Sequence, residues 1–285
     1  MRISKISNGN MNNVFELELD NNKYIIRMSE FDNDFECKIL KLLEKYNIYS
    51  PRLLTNFKLG SKNIMICKYI DGENPIIYNE LFFEKLAISL GKLHSIQCKY
   101  ESTEYSNNEE TLGKLKEYYD LSVTSRYLKD EKNFISKKYK EIEKLNLNSL
   151  PKNIIHSDIK KENLLVNDNG VYLIDFGNVY VGNRLIDLIR VIMWFFIKYN
   201  NYDFDSIEKF ILRYFKETHN LLKIEKSNVI ALIKYCILYN LLKDIYLYEN
   251  NILNSNYIEN NSLRWLDALK NEKELIKISE VFKNA

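Results

Sequence analysis

Between Asn13 and Leu19 apolar and polar residues alternate, with Phe15, Leu17 and Leu19 set against Glu16 and Glu18. A period of two is that of a half-buried strand. The cluster Asp20-Asn21-Asn22 reads as a turn, and Lys23 to Met28 follows as a second strand, so the pair predicts a hairpin. From Asp34 to Tyr46 the period changes: Phe35, Ile39, Leu42 and Leu43 recur at helical spacing, with Asn33 or Asp34 as the cap. Two further strands, Arg52 to Phe57 and Asn63 to Tyr69, flank a turn at Gly60-Ser61. After Asp71-Gly72 helices take over. Asn79 to Ile96 and Ile135 to Leu145 are amphipathic, Tyr100 to Glu110 is a polar loop, and nearly everything beyond residue 184 has helical periodicity. Only Ile154 to Asp175 interrupts, with two short apolar runs, Asn163 to Val166 and Val171 to Ile174, around the turn Asn167-Asp168-Asn169-Gly170. The pattern predicts an α+β, bilobal protein: a small β-rich lobe over residues 1–70 and a larger, mainly helical lobe over 71–285.

Composition narrows the class. The chain has 285 residues, 46% of them hydrophobic, enough for a sizeable core. Lys and Arg number 41 against 39 Asp and Glu, a net charge of +2, which argues against a nucleic-acid partner. Cys37, Cys67, Cys98 and Cys236 form no C-x-x-C pair and only three His occur, so neither a zinc framework nor a disulfide scaffold is expected. No signal peptide opens the sequence, and the most apolar stretch, Leu185 to Ile197, is interrupted by Asp187 and Arg190 and too short to span a bilayer. A cytoplasmic protein without a membrane partner is expected. The 21 Tyr are spread over the whole chain and reflect compositional bias.

The chemistry lies in His156-Ser157-Asp158-Ile159-Lys160-Lys161-Glu162-Asn163, followed twelve residues later by Asp175-Phe176-Gly177. A carboxylate at a loop tip, Asp158, can orient a hydroxyl or accept its proton. Asn163 and Asp175 can converge on a divalent cation through oxygen, and Mg²⁺ favours few protein oxygens plus phosphate. Phosphoryl transfer needs this positioning and charge neutralisation.

The spacing H-x-D-x-x-x-x-N followed by I-D-F-G resembles the protein-kinase-like superfamily, in its aminoglycoside phosphotransferase and choline kinase branch. A G-x-G-x-x-G loop, a V-A-I-K strand and an A-P-E element are missing. The loop Ser7-Asn8-Gly9-Asn10-Met11-Asn12-Asn13 looks like the branch's G-x-x-N phosphate loop, which implies contacts to ATP from Ser7, Asn8, Gly9 and Asn10. Gly182-Asn183-Arg184-Leu185-Ile186-Asp187-Leu188 is similar to G-D-P-x-x-D-L, with Asn183-Arg184 in place of Asp-Pro. The resemblance covers about residues 3 to 195.

What it implies is a small-molecule kinase with ATP and Mg²⁺ as cofactors and a small hydroxyl compound as acceptor. Asp158 is then the base, Asn163 and Asp175 the metal ligands, and Arg27 the phosphate-steadying cation partnered by Glu36. Choline and ethanolamine kinases are similar in using Arg there. Ile66 to Gly72 resembles the hinge, so the Lys68 carbonyl and Ile70 amide would bond adenine. His94 and His156 are expected to pack and orient, and Asp187 to accept catalytic-loop amides. Lys160 resembles the catalytic-loop Lys of serine/threonine kinases, which keeps a protein kinase open as an alternative, beside a non-catalytic, kinase-like spore-coat or binding protein. Amino alcohols such as choline, aminoglycosides and homoserine-like metabolites remain open as acceptors. Trp194, Tyr235 and Tyr239 could form a cation–π cage or simply helix core; Asp203, Asp205 and Glu208 could form an acidic patch or a solvated helix start.

Overall fold

Five antiparallel strands open the chain, in the spatial order β1-β2-β3-β5-β4. They are β1 (Arg2–Asn8), β2 (Asn12–Leu19), β3 (Asn22–Ser29), β4 (Leu53–Leu59) and β5 (Lys62–Lys68). The computed structural model describes residues 1–8, 12–96, 111–199 and 201–285. Both predicted hairpins form, one turning at Asp20 and Asn21, which take positive φ, the other at Gly60 (φ +61°), where only glycine is unstrained. β1 carries no half-buried alternation because it is an edge strand with Ile3 and Ile6 both exposed, so its sequence gives no period-two signal.

Helix α1 (Asp34–Lys45) follows β3 and buries Glu36, Cys37, Ile39, Leu40 and Leu43. The expected cap differs: Asn33 makes no side-chain capping bond, and Asp32 Oδ1 instead accepts the Asp34 amide at 2.8 Å. Beyond the sheet, α2 (Glu80–His94) starts under Asn79, whose Oδ1 accepts the Phe82 amide at 2.9 Å. The polar loop expected over Tyr100 to Glu110 lies outside the described residues. Helix α3 (Leu112–Ser122) escaped the periodicity because it buries only Leu115 and Ser122, while α4 (Lys132–Ile142) matches the second predicted helix three residues early.

Two short β pairs build the centre: β6 (Asn153–Ile155) with β9 (Tyr180–Gly182), and β7 (Leu164–Val166) with β8 (Val171–Leu173). Then come α5 (Leu185–Val191), a π-helical turn at Ile192–Phe196, and a small pair, β10 (Ile197–Lys198) with β11 (Asn201–Tyr202), that breaks the helical run expected there. Helices α6 (Phe204–Glu217) and α7 (Lys223–Glu249), the turn α8 (Ser255–Tyr257), a π-helical turn at Ile258–Ser262, α9 (Leu263–Lys270) and α10 (Glu272–Asn284) complete the chain. α7 is the hub. It packs against α3, α4, α5, α9 and α10, so residues from Leu232 to Leu242 are buried all round and show no amphipathic stripe.

Asn183-Arg184 now has a structural account. Arg184, 3% exposed, places Nε and Nη2 each 3.2 Å from the Glu225 carboxylate and donates to the carbonyls of His219 and Asn220. Asn183 Oδ1 accepts the Leu185 amide at 3.0 Å. The pair anchors the start of α5 onto the start of α7 through a buried ion pair.

Candidate active site

β6 delivers the chain to His156, Ser157 and Asp158. Ser157 has φ +62°, left-handed and unfavourable for a non-glycine residue by about 1–3 kcal/mol. Asp187, on α5, offsets this strain: its Oδ2 accepts the His156 amide and its Oδ1 the Ser157 amide, each at 2.7 Å. Ser157 Oγ donates to the Asn178 carbonyl at 2.6 Å. His94 closes the arrangement from α2, Nε2 lying 3.1 Å from Asp187 Oδ2 and Nδ1 2.9 Å from the Tyr214 hydroxyl. Burial pushes the Asp187 carboxyl up, but the His94 contact and the His156 amide outweigh it and hold the group below the ordinary carboxylate range. Asp187 is thus a positioning residue, as its sequence context implied. The His156 ring meets that of Phe176 at a tilt, centroids 4.6 Å apart, with Nε2 2.9 Å from the Ile174 carbonyl, tying the loop to the end of β8.

Asp158 Oδ2 accepts from Lys160 Nζ at 2.8 Å and from Asn163 Nδ2 at 2.9 Å. Burial works against its charge, yet Lys160, then Arg190 and His156, prevail and depress its pKa. The carboxylate therefore stays ionised near neutrality, as a hydroxyl-orienting acceptor must. Lys160 is a partner of Asp158 here.

Asp175 follows β8 with φ +62° and a half-exposed side chain. Its Oδ1 accepts from Arg27 Nη1 at 3.2 Å, while Arg27 Nη2 pairs with Glu36. β3 and α1 bring Arg27 and Glu36 together, both buried, and the guanidinium bridges the sheet to Asp175. Burial lowers the tendency of Arg27 to hold its proton, but Glu36 and Asp175 more than restore it. The expected Arg27–Glu36 pair is therefore present.

Ser7 and Asn8 end β1, where Ser7 pairs with Val14 and Asn8 with Asn13; Gly9 and Asn10, the rest of the predicted phosphate loop, lie outside the described residues. At the hinge, the Lys68 amide donates to the Arg52 carbonyl at 2.9 Å and Tyr69 to the Lys23 carbonyl at 3.2 Å, so the chain leaves the sheet just before Ile70. Sequence reasoning overlooked how the next residues are stitched to the β7–β8 hairpin. Asn74 Nδ2 donates to the Leu164 carbonyl at 2.8 Å, Asn167 Nδ2 to the Asp71 carbonyl at 2.8 Å, and Glu73 bridges Val166. Asn is common throughout this chain, so nothing in the sequence set these two apart.

Among the described residues no three His, Cys, Asp or Glu side chains cluster as a metal cage. The donor set instead suits Mg²⁺. Asn163 spends its amide nitrogen on Asp158, leaving Oδ1 as its acceptor, and Asp175 adds a carboxylate; two hard oxygens plus phosphate and water satisfy that ion.

Tyr235 and Tyr239 are buried within α7 and belong to the core. Trp194 already faces a cation of the protein itself, with Arg264 Cζ 4.6 Å from its ring centre. Asp203 caps α6 through the Ser206 amide and Asp205 pairs with Lys209, both exposed like Glu208, so the acidic candidates are a solvated helix start. The sequence did not suggest that Arg190 and Tyr257, from α5 and α8, come within electrostatic reach of Asp158, nor that Asp244 and Arg264, from α7 and α9, come within reach of Tyr257. Tyr257 is within electrostatic reach of Asp158, Asp244 and Arg264, and Asp244 within reach of Lys160 and Arg190. These residues are more than 30 positions from Asp158, and only folding brings them together.

The model of the phosphotransferase enzyme family (APH) matches residues 2–218. The chain belongs to that family. This phosphotransferase is accordingly an enzyme, a kinase of small-molecule hydroxyls. No curated protein sequence matches it significantly. Solved structures do. A choline kinase from Cryptosporidium parvum aligns with TM-score 0.69 and 16% identity over 97% of this chain and 90% of that one. A choline/ethanolamine kinase family protein from Mesorhizobium loti aligns with TM-score 0.69 and 15% identity over 100% and 93%. A spectinomycin phosphotransferase, in complex with ADP and spectinomycin, aligns with TM-score 0.61 and 18% identity over 99% and 93%. At these identities the likeness establishes the protein-kinase-like fold of the phosphotransferase. A protein kinase and a non-catalytic kinase-shaped protein gain no support. No helix among the described residues is long and apolar enough to cross a membrane.

Proposed function

We propose that the phosphotransferase uses ATP and Mg²⁺, with residues 1–70 as the nucleotide lobe and 71–285 as the lobe that binds the acceptor. The observation that carries this is the bridge from Glu36 through Arg27 to Asp175, beside Asp158 with its Lys160 and Asn163 partners. Asp158 accepts the proton of the acceptor hydroxyl as its oxygen attacks the γ-phosphorus. Lys160, paired with Asp158, carries positive charge toward the transferred phosphoryl group. Asn163 and Asp175 would hold Mg²⁺, which when bound neutralises phosphate charge. Arg27, fixed by Glu36, would meet the phosphates through a planar fork, and Ser7, Asn8, Gly9 and Asn10 would add the phosphate contacts that the resemblance implies. The Lys68 carbonyl and Ile70 amide would bond the adenine edge. ADP in the spectinomycin phosphotransferase complex supports a nucleotide in this fold.

The test is calorimetry with Mg-ATP, followed by labelled ATP offered to small hydroxyl compounds and to general protein substrates. Binding of Mg-ATP with label on a small acceptor alone is expected. Label on protein substrates alone, or no nucleotide binding, refutes the proposal.

A further inference from the structure

Arg264 lies in the first turn of α9, within electrostatic reach of Tyr257 and Asp244, and Tyr257 is in turn within reach of Asp158. Its guanidinium lies 4.6 Å from the centre of the Trp194 ring and 4.1 Å from that of Trp265, and the two indoles meet edge to face at 5.5 Å. One wall, Trp194, comes from irregular helix, and the other, Trp265, from the first turn of α9. Trp194 sits in the π-helical turn Ile192–Phe196, and Arg264 follows the π-helical turn Ile258–Ser262. Such turns interrupt regular hydrogen bonding and occur frequently at functional sites. Arg264 Nε and Nη2 are buried with no hydrogen-bond partner among the described residues. A desolvated guanidinium without hydrogen-bonded oxygens is costly, and stacking on indoles offsets only part of that cost. Its charged neighbours are few. Asp244, the nearby carboxylate, already accepts from Ser262 Oγ at 2.8 Å, and burial pushes its pKa up to about 6.

We infer that the phosphoryl acceptor carries a carboxylate that pairs with Arg264. This rests on the kinase function proposed above and names its substrate class. The position that would hold an ammonium against Trp194 is filled by the protein's own cation, so a quaternary amine brought there meets like charge. A carboxylate brings two coplanar oxygens that match the guanidinium fork. A phosphate in that role would add a second negative charge beside Asp158 and the transferred phosphoryl group, which favours the carboxylate. The acceptor is then a hydroxy acid. Arg264 binds its carboxylate, its hydroxyl oxygen attacks the γ-phosphorus, the bond to the ADP oxygen breaks, and the hydroxyl proton passes to Asp158. Asp244 distinguishes a plain hydroxy acid from one that also bears an ammonium group.

Trp194 and Trp265 are the two tryptophans of the chain, so intrinsic fluorescence reports on Arg264 directly. Wild type loaded with Mg-ADP is titrated with glycerate, serine, ethanolamine, choline and glycerol, and ADP release is followed in parallel with Mg-ATP. Glycerate or serine should give a saturable fluorescence change and turnover. Arg264→Leu should weaken that binding by roughly 10- to 100-fold, and Arg264→Lys less, with Mg-ATP affinity retained in both as evidence of folding. The inference is overturned if ethanolamine or choline binds as tightly as the carboxylates, or if Arg264→Leu leaves carboxylate binding unchanged. It is overturned too if neither carboxylate gives a saturable response at tens of millimolar. Failure of wild type to bind Mg-ATP would instead overturn the kinase function, and the inference with it.

Discussion

Replacing Asp187 by Asn tests how the catalytic loop is held. The carboxylate is fully buried and accepts three hydrogen bonds, from His94 and His156 on Oδ2 and from Ser157 on Oδ1. Asn keeps the shape but has one acceptor. If its nitrogen takes the Oδ2 position, two bonds are lost; if it takes Oδ1, only the Ser157 bond is lost. The cheaper orientation therefore abandons the amide that keeps Ser157 at φ +62°. One charge-assisted bond and one buried N–H left unpaired cost about 2–4 kcal/mol. Relief of carboxylate desolvation does not cancel this, because the depressed pKa of Asp187 shows that its hydrogen bonds outweigh burial. Ser157 should relax and carry Asp158 with it, lowering kcat on the order of 10- to 100-fold, while Mg-ATP affinity, set around Asp175, stays near wild type. Urea unfolding, Mg-ATP calorimetry and steady-state kinetics measure the three quantities. The depressed pKa also sets a pH signature. The contribution of Asp187 is fully present above the unfolded carboxylate value of about 3.9 and is lost as pH falls through its lower folded value. Asp187→Asn should lack that acid-dependent part. Unfolding free energy within about 0.5 kcal/mol of wild type, together with unchanged kcat, would refute the reasoning.

Asp158→Asn should lower turnover on the order of 10² to 10⁴ with little change in Mg-ATP affinity, whereas Asp175→Asn should weaken metal-dependent ATP binding as well; calorimetry showing the opposite pattern would reverse the two roles. Glu36→Ala leaves Arg27 buried beside Asp175 alone, and should destabilise the fold by about 3–5 kcal/mol and raise the KM for ATP, read by thermal unfolding and kinetics. Glu225→Ala strands Arg184 in the same way, so a similar loss of stability is expected, but kinetics of the folded fraction should show an unchanged KM for ATP. Gly91→Ala drives a Cβ into Glu217 Cβ where α2 meets α6, and denaturant unfolding should show a cost of about 1–3 kcal/mol.

The helices with one face in water were legible in the chain: α1 and α2 carry their period because one side is solvated and the other buried, while β2 and β3 were marked by the turn between them. The candidate site was legible for a different reason. Asp158, Asn163 and Asp175 flank the β7–β8 hairpin, so one short stretch of sequence carries all three. Where that link fails, so does the sequence signal. β1 is an exposed edge, α3 buries almost nothing, and α7 is buried all round, so none has a diagnostic amphipathic pattern. Arg27 and Glu36 could be paired beforehand only through resemblance, since a strand and the following helix must first dock. Asn183-Arg184 looked like a departure within a loop until packing placed Glu225 beneath it. The acceptor side is wholly tertiary. Trp194, Asp244, Tyr257 and Arg264 lie on four elements spread over some 70 residues, and their relative positions are set by how α5, α8 and α9 pack around α7. Local periodicity carries no trace of a contact whose partners share neither a helix face nor a hairpin. Whether Trp194 would meet a ligand's cation or the protein's own arginine was decided by that packing alone.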